Sequence, residues 1–546
     1  MAVNSALTLV SSGAPGEEKS GPKRTLKDIL DGVASKELVL AFSGPIGAGV
    51  KDVVDLVESE LVGLGYSIER IKLSELIRQA AKKLNLSPSE PEAASAASRY
   101  KALQDMGNKL RSLKGSDVLA QLAVRDISLD RAKKNSGEIK DVVPGRVVYL
   151  IDQLKNPSEV SLLRAVYREN FYLVGTLCGS DQRKRNLQSE GLSVTEAESL
   201  MERDRKEGVS HGQNLEKTLQ LADFFVRNSS SNTRAIRGPI DRFLRLVHGD
   251  LTVTPTIHEQ GMYAAFSAGL GSACMSRQVG AAIIDREGKL ISMGCNDVPR
   301  GGGGLYRESL QPDDHRCVHL KGGNCFNDEK KNKVSSEIGV MILPHLKEFL
   351  EQNGVSDGEG KSKELSKIIS RIIRGESRLK DIIEFSRAVH AEMDALVNLS
   401  RTGQGTSQDA VLYTTTYPCH NCARHIVAAG IRAVYFIEPY EKSLATDLHS
   451  DAISHDSDQE IPLSEWLDPD RNKHRKVAFL HFEGVSPRRY MDLFFAEGRK
   501  DEHGKGRKWV GRSASKKIPE YLEAYPALES RVVKHLDDSG MGLGDA

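Results

Sequence analysis

No apolar run in the 546-residue sequence approaches the roughly 20 residues that a membrane-spanning helix needs, so no spanning helix is expected. The first residues, "MAVNSALTLVSSGAPGEEKSGPKR", lack a basic segment followed by an apolar one. Residues 1–25 therefore read as a flexible tail and not a secretory signal, and a cytoplasmic location is the expectation. Positive charge is not in excess: 76 Lys and Arg stand against 75 Asp and Glu, a net charge of +1. A protein whose main task is gripping a nucleic-acid backbone usually carries such an excess. Only "GRKDEHGKGRKWVGRSASKK", residues 498–517, does so here, and it reads as a solvated basic extension. Cysteine is scarce, with seven residues at 178, 274, 295, 317, 325, 419 and 422. An odd, dispersed set in a large intracellular chain argues against a disulfide framework and for free thiols and metal ligands. Internal repeats and long low-complexity tracts are also missing.

What is there is an ordinary globular composition, 39% hydrophobic and 28% charged, on a chain longer than one hydrophobic core usually covers. Two or more domains follow. From about residue 26 strand-like and helical segments alternate. "ELVLAF" precedes a glycine loop, "VKDVVDLVESELVGLG" has apolar positions at helical spacing, and "GRVVYLIDQL", "NFYLVGTLC" and "ADFFVRN" read as later strands. Alternation of this kind implies βαβ units on a parallel sheet, so residues 26–248 are assigned to one α/β unit. A second alternating block fills 249–546. "MYAAFSAGLGSACMS" reads as a helix, "QVGAAIIDREGKLISMGCN" as a hairpin, "FSRAVHAEMDALVNLS" as a helix, and "AVLYTTT", "CARHIVAAG" and "IRAVYFIEP" as strand, helix and strand. Between hairpin and second helix lies an insertion at about 300–384, too long for a simple connection, so it should hold helix of its own.

In the first unit, Gly44 and Gly49 keep the G-x-x-x-x-G spacing of a phosphate-binding loop, with Gly47 between them and Lys51 one place later than the usual lysine. No Ser or Thr occupies the magnesium position. Phosphate binding by backbone N–H groups is the expectation, and phosphoryl transfer is less so.

In the second unit His390, Cys419 and Cys422 offer one imidazole and two thiolates, the donors zinc prefers. Cys-x-x-Cys puts both sulfurs on one side of a turn entering a helix, whose N-terminus favours thiolate. Three protein ligands leave a fourth tetrahedral position for water, which bound zinc can acidify to a pKa of ~7. Glu392, two residues after His390, can reach that water and carry protons to a ring nitrogen and a departing amine. A His-x-Glu followed by Pro-Cys-x-x-Cys is the signature of the zinc nucleobase deaminases.

"HAEMDAL" and "LYTTTYPCHNCARHIVAAGIRAVYF", with the hairpin "SRQVGAAIIDREGKLISMGCNDVP", resemble the deoxycytidylate deaminase branch of the zinc cytidine deaminase superfamily. The resemblance implies a three-layer α/β/α fold, Zn2+ as cofactor and free deoxycytidine nucleotides as substrates. It also implies sugar contact by Asn296, phosphate contact by Arg277, and homo-oligomers, commonly hexamers. The family's usual "GYNG" is "GCND" here, so sugar and phosphate recognition stay open. Members with a second, structural zinc direct attention to His315, Cys317, His319 and Cys325, although their spacing is not that of a standard finger. Asp152, "RDRKEG" (203–208) and "LADFFVRN" make residues 26–248 resemble a nucleoside monophosphate kinase. A kinase-like unit before such a deaminase resembles the two-domain bacterial deaminases of anti-phage defence. That resemblance implies depletion of dCTP and restraint by the N-terminal unit, through a nucleotide effector, a regulatory RNA or a protein inhibitor. The alternative is a polynucleotide-editing deaminase that holds RNA or DNA on residues 498–517.

Overall fold

The computed structural model describes residues 34–86, 95–134, 145–205, 214–228, 233–308, 313–320, 322–355, 358–439, 443–455, 476–521 and 524–541. The tail 1–25 and part of "RDRKEG" lie outside them.

Twelve strands are described: β1 (Leu38–Ser43), β2 (Ser67–Lys72), β3 (Val147–Asp152), β4 (Phe171–Leu177), β5 (Phe224–Arg227), β6 (Gly280–Ile284), β7 (Leu290–Cys295), β8 (Val411–Thr416), β9 (Ala433–Glu438), β10 (Ile453–His455), β11 (Val477–His481) and β12 (Gly484–Val485). They form two six-stranded sheets, ordered β12-β5-β4-β1-β3-β2 and β10-β11-β9-β8-β6-β7. β1 to β5 are mutually parallel. In the second sheet β8, β9, β11 and β10 are parallel, and β6 runs antiparallel to both β8 and its hairpin partner β7. Every residue of β1 and β4 is buried, as expected for strands covered on both faces and written as continuous apolar runs.

In the first half, α1 (Val50–Gly63), α2 (Leu73–Lys83), α3 (Ala96–Lys114), α4 (Val118–Lys134), α5 (Pro157–Tyr167), α6 (Ser180–Ser189), α7 (Val194–Arg205) and α8 (Thr233–Val247) accompany the first sheet. The second half contributes α9 (Ile257–Gly269), α10 (Phe326–Gln352), α11 (Gly358–Gly375), α12 (Ala391–Thr402), α13 (His420–Ala428) and α14 (Pro526–Asp538). The insertion is thus an antiparallel pair, α10 on α11. Gly339 makes the close approach possible, since a Cβ there would lie 2.0 Å from Ser370 Oγ.

Two corrections concern helix ends. "MYAAFSAGLGSACMS" leaves the helix at Gly269, because that residue packs against Gly280, where a Cβ would meet Gly269 N at 2.4 Å. Residues after it form a loop. The helix read from "FSRAVHAEMDAL" begins only at Ala391, with His390 extended at its N-cap (φ −83°, ψ 156°).

The C-terminal segment, assigned from sequence to the second unit, returns to the first. β12 pairs antiparallel with β5, Phe482 meets the Phe225 ring edge-to-face at 6.1 Å, and α14 packs on α4. Behind α14, Arg131 forms buried ion pairs with Glu37 at 2.8 Å and with Glu529, and Tyr525 donates to Glu37 at 2.6 Å.

Candidate metal and catalytic site

The site lies where three pieces of the second sheet end. β8 runs out into Tyr417 and Pro418 and delivers Cys419 to the N-cap of α13, Cys422 lies in that helix's first turn, and α12 starts beside them. Gly294 in β7 lets α12 sit directly on the hairpin, because a Cβ there would lie 2.3 Å from Ala395 N. The contact fixes His390 and Glu392 relative to Asn296, just beyond β7.

His390 Nδ1 is 3.3 Å from Cys419 Sγ and 3.4 Å from Cys422 Sγ, and one donor atom from each of the three lies within 4.8 Å of the others. Zinc bonded to sulfur at about 2.3 Å and to nitrogen at about 2.0–2.1 Å in a tetrahedron would separate those atoms by about 3.6 Å. Donor chemistry and spacing therefore fit Zn2+. Cys419 Sγ accepts the Cys422 N–H at 3.4 Å as the cap of α13. The contact with Cys422 and the neighbouring His390 hold the Cys419 thiol down towards thiolate. That sulfur in turn raises His390 to about 9.

Glu392 is 4% exposed. Its Oε2 lies 3.5 Å from Cys422 Sγ, and burial pushes its carboxyl up to about 7. It lines a cavity of about 330 Å3 with His390, Cys419, Asn296, Arg277 and Tyr417. Asn296 spends its amide on the hairpin entrance, accepting from Val279 N at 2.7 Å and donating to Arg277 O at 2.8 Å. Arg277 is half exposed at the cavity wall, 3.7 Å from Glu438 Oε2.

Three cavity residues escaped the sequence reading. Tyr417, wedged against Phe436 and Phe479, forms a wall. Its only signal was its place before Pro418-Cys419. Arg387 and Lys331 bring positive charge from the loop before His390 and from the insertion, which nothing in their spacing marked.

The set His315, Cys317, His319 and Cys325 is not gathered: among the described residues no metal-competent group contains three of them. Cys317 and His319 share a short 3-10 turn while Cys325 caps α10. His319 instead lies 3.3 Å from Asp314, whose carboxylate Arg316 already holds at 2.5 Å. The Arg316 guanidinium also donates to Glu308 at 2.8 Å and so bridges the two carboxylates.

The glycine loop sits elsewhere, at the end of β1. Gly47 and Gly49 have φ of +78° and +68°, which requires glycine, and Lys51 projects from the first turn of α1 towards a second cavity.

Residues 255–438 match the family model of the cytidine and deoxycytidylate deaminase zinc-binding region. The deoxycytidylate deaminase of Enterobacteria phage T2 is 28% identical over 172 residues, 32% of this chain and 74% of that protein. The ComE operon protein 2 of Bacillus subtilis (strain 168) is 43% identical over 56 residues, 10% of this chain and 29% of that protein. A crystal structure of the dCMP deaminase from the cyanophage S-TIM5 with dCMP and dUMP aligns at 16% identity and a TM-score of 0.22. It covers 42% of this chain and 98% of its own. No described helix is long and apolar enough to cross a membrane.

Proposed function

We propose that this chain hydrolyses deoxycytidine nucleotides, dCMP and/or dCTP, to deoxyuridine nucleotides and ammonia. The observation that carries the reading is the convergence of His390, Cys419 and Cys422 with a buried Glu392 on one cavity. The family-model match across residues 255–438 supports it.

His390, Cys419 and Cys422 would hold Zn2+, which when bound supplies a Lewis acid that lowers the pKa of water to about 7. Glu392 is the proton carrier. Buried on the cavity wall beside His390 and Cys419, it is the carboxyl placed to exchange protons with a bound water. It takes one from the water that adds to C4 of the cytosine ring and gives it to N3. A second transfer to the exocyclic nitrogen lets ammonia leave. Cytosine and one water thereby become uracil and ammonia. Tyr417 closes one side of the ring site, and Asn296 shapes the entrance by bridging Val279 and Arg277. Arg277, Arg387 and Lys331 supply the positive charge that a phosphate requires.

The finer reading is a defence enzyme that drains dCTP during phage infection, assembled as a homo-oligomer and restrained through its N-terminal unit. There Gly44, Gly47, Gly49 and Lys51 form a phosphate-binding loop. The tie between the units supports such control, since Ser486 N donates to Asp223 O at 2.9 Å and Arg227 N to Glu483 at 2.8 Å.

Polynucleotide editing loses part of its surface. Arg512 and Lys516 donate to the carbonyls of Gly63 and Glu37 at 3.2 and 3.1 Å, and Lys517 donates to that of Leu493. Chromatography of zinc-loaded protein with dCMP, dCTP, CMP and a cytosine-containing oligonucleotide tests the choice. Free deoxynucleotides should turn over, whereas turnover of the oligonucleotide alone would hand the site to editing.

A further inference from the structure

The helical insertion between β7 and α12 is a large feature that deamination leaves unexplained. Its helices α10 and α11 each pack mainly on the other, and none of their described residues joins a buried hydrophobic cluster. The seam between them is small and polar: Ser366 Oγ donates to Gly339 O at 2.6 Å and Ser335 Oγ to Ser370 O. In both helices the residue just before a seam position is apolar: Val334 before Ser335, Ile338 before Gly339, Leu365 before Ser366 and Ile369 before Ser370. One step back turns ~100° about a helix axis. In an antiparallel pair that turn leads to the same side of the seam from either helix. Met341 and Phe349, three and eleven places after Ile338, extend one stripe, and Ile372, three after Ile369, extends the other.

One broad face of the hairpin is therefore apolar, and the described residues leave it open. Met341 is 72%, Phe349 62%, Ile372 45% and Leu365 37% exposed, and Val334, Ile338 and Ile369 are only half-buried. An apolar stripe of this kind calls for another element to bury it. Size and charge both fit a second copy of the chain as that element. α11 has 18 residues, about 27 Å of helix, and two helices side by side are about 20 Å across. The face then measures roughly 500 Å2, and two copies together bury about 1,000 Å2, the size at which a specific interface begins. At one end of the face stand the exposed Glu348 on α10 and Lys361 on α11. A two-fold axis along the hairpin lays α10 over α11 of the other copy, which brings each of these charges opposite its counter-charge.

We propose that this face is a self-association surface, on which the same hairpin of a second copy packs, α10 against α11 both ways, so that four helices share one apolar core. On this arrangement Gly339 and the serines let the two helices of each copy lie close, while their larger side chains meet those of the other copy. The proposal gives a contact surface to the homo-oligomer of the functional reading, on which it rests for self-association alone. It does not rest on the zinc chemistry.

The test is light scattering of the full-length, zinc-loaded protein after size exclusion. Wild type, a double variant carrying Met341→Glu and Phe349→Glu, and Val340→Glu are compared at equal micromolar concentration. The wild type should run as a multiple of the single chain. The double variant, which puts two charges on the apolar face, should fall to half of that mass or less with its circular dichroism unchanged. Val340 is 68% exposed and two places after Ile338, turned away from the face. Val340→Glu should therefore keep the wild-type mass. Should the double variant fail to fold, Ile372→Glu decides in its place. A monomeric wild type would overturn the proposal. A double variant of wild-type mass would also overturn it and leave any oligomer to another surface, as would a Val340→Glu protein that dissociates equally. Turnover of dCMP and dCTP is followed on the same samples. Its absence with the mass change present would sink the deaminase reading and leave this one standing.

Discussion

Glu392 and His390 are separated by one residue, yet they do different work because one stands inside the helix and the other at its N-cap. Glu392→Gln keeps shape and burial but removes the proton carrier. Turnover should fall by about 10²–10⁴-fold, the usual range for a general acid–base, with zinc content by elemental analysis unchanged. His390→Ala should do the reverse, taking bound zinc from about one per chain to near zero because two thiolates alone cannot complete the site. A third prediction concerns a residue far from the chemistry. His248 is buried between Tyr66 OH at 2.9 Å and Leu244 O at 2.7 Å, and burial lowers it from 6.5 to about 4. The unfolded chain therefore takes the proton first. Stability is full above pH 6.5 and is lost as pH falls towards 4, by on the order of 3 kcal/mol. Denaturant titrations at pH 7 and pH 4.5 should show the loss, and His248→Gln should reduce the difference. His390, Glu392, Cys419 and Cys422 were legible as one candidate site because His-x-Glu and Cys-x-x-Cys each tie two of them locally, whereas the 29 positions between His390 and Cys419 are closed only by the fold. Tyr417, Arg387 and Lys331 were not, since their place at the cavity depends on how separate segments meet. His315, Cys317, His319 and Cys325 mislead for the same reason: closeness along the chain did not bring their ligand atoms together.

Among the elements, long apolar runs such as β1, β4, β8 and β9 could be read directly, whereas β12, two residues long, carries no period at all. Its anchoring depends on Glu259, the third residue of a capping box with Thr256 at the start of α9. Glu259 is 1% exposed. It accepts from Thr256 N at 2.8 Å, Val485 N at 2.9 Å and Arg242 Nη2 at 2.5 Å. Glu259→Ala removes a cap and leaves Arg242 with a lost partner, so a loss of roughly 3–5 kcal/mol is expected. Thermal melting should show it as a clear drop in Tm. Nothing in the sequence pattern marked that β12 would use this capping box. The insertion was legible as helical, though not that the start of α10 would bring Lys331 to the cavity.

For the whole molecule, the division at residue 248 read from the sequence leaves out the return of the chain, whose β12 pairs with β5 in the first sheet. The reason is physical: Glu37 lies 94 and Glu529 398 positions from Arg131, and no local pattern links buried charges that meet only on folding. Arg131→Met should strand two buried carboxylates and destabilise the protein by about 3–5 kcal/mol. Limited proteolysis should then cut first around α14. The same return of the chain makes the isolated second half a poor test object, so the enzyme is best assayed entire. The most direct measurement compares zinc-loaded wild type and Glu392→Gln at equal metal content, following ammonia release and uracil formation from dCMP and dCTP. The wild type should yield stoichiometric ammonia and deoxyuridine nucleotide, and the variant should lose both. Equal turnover by both proteins, or none by either with zinc in place, would contradict it.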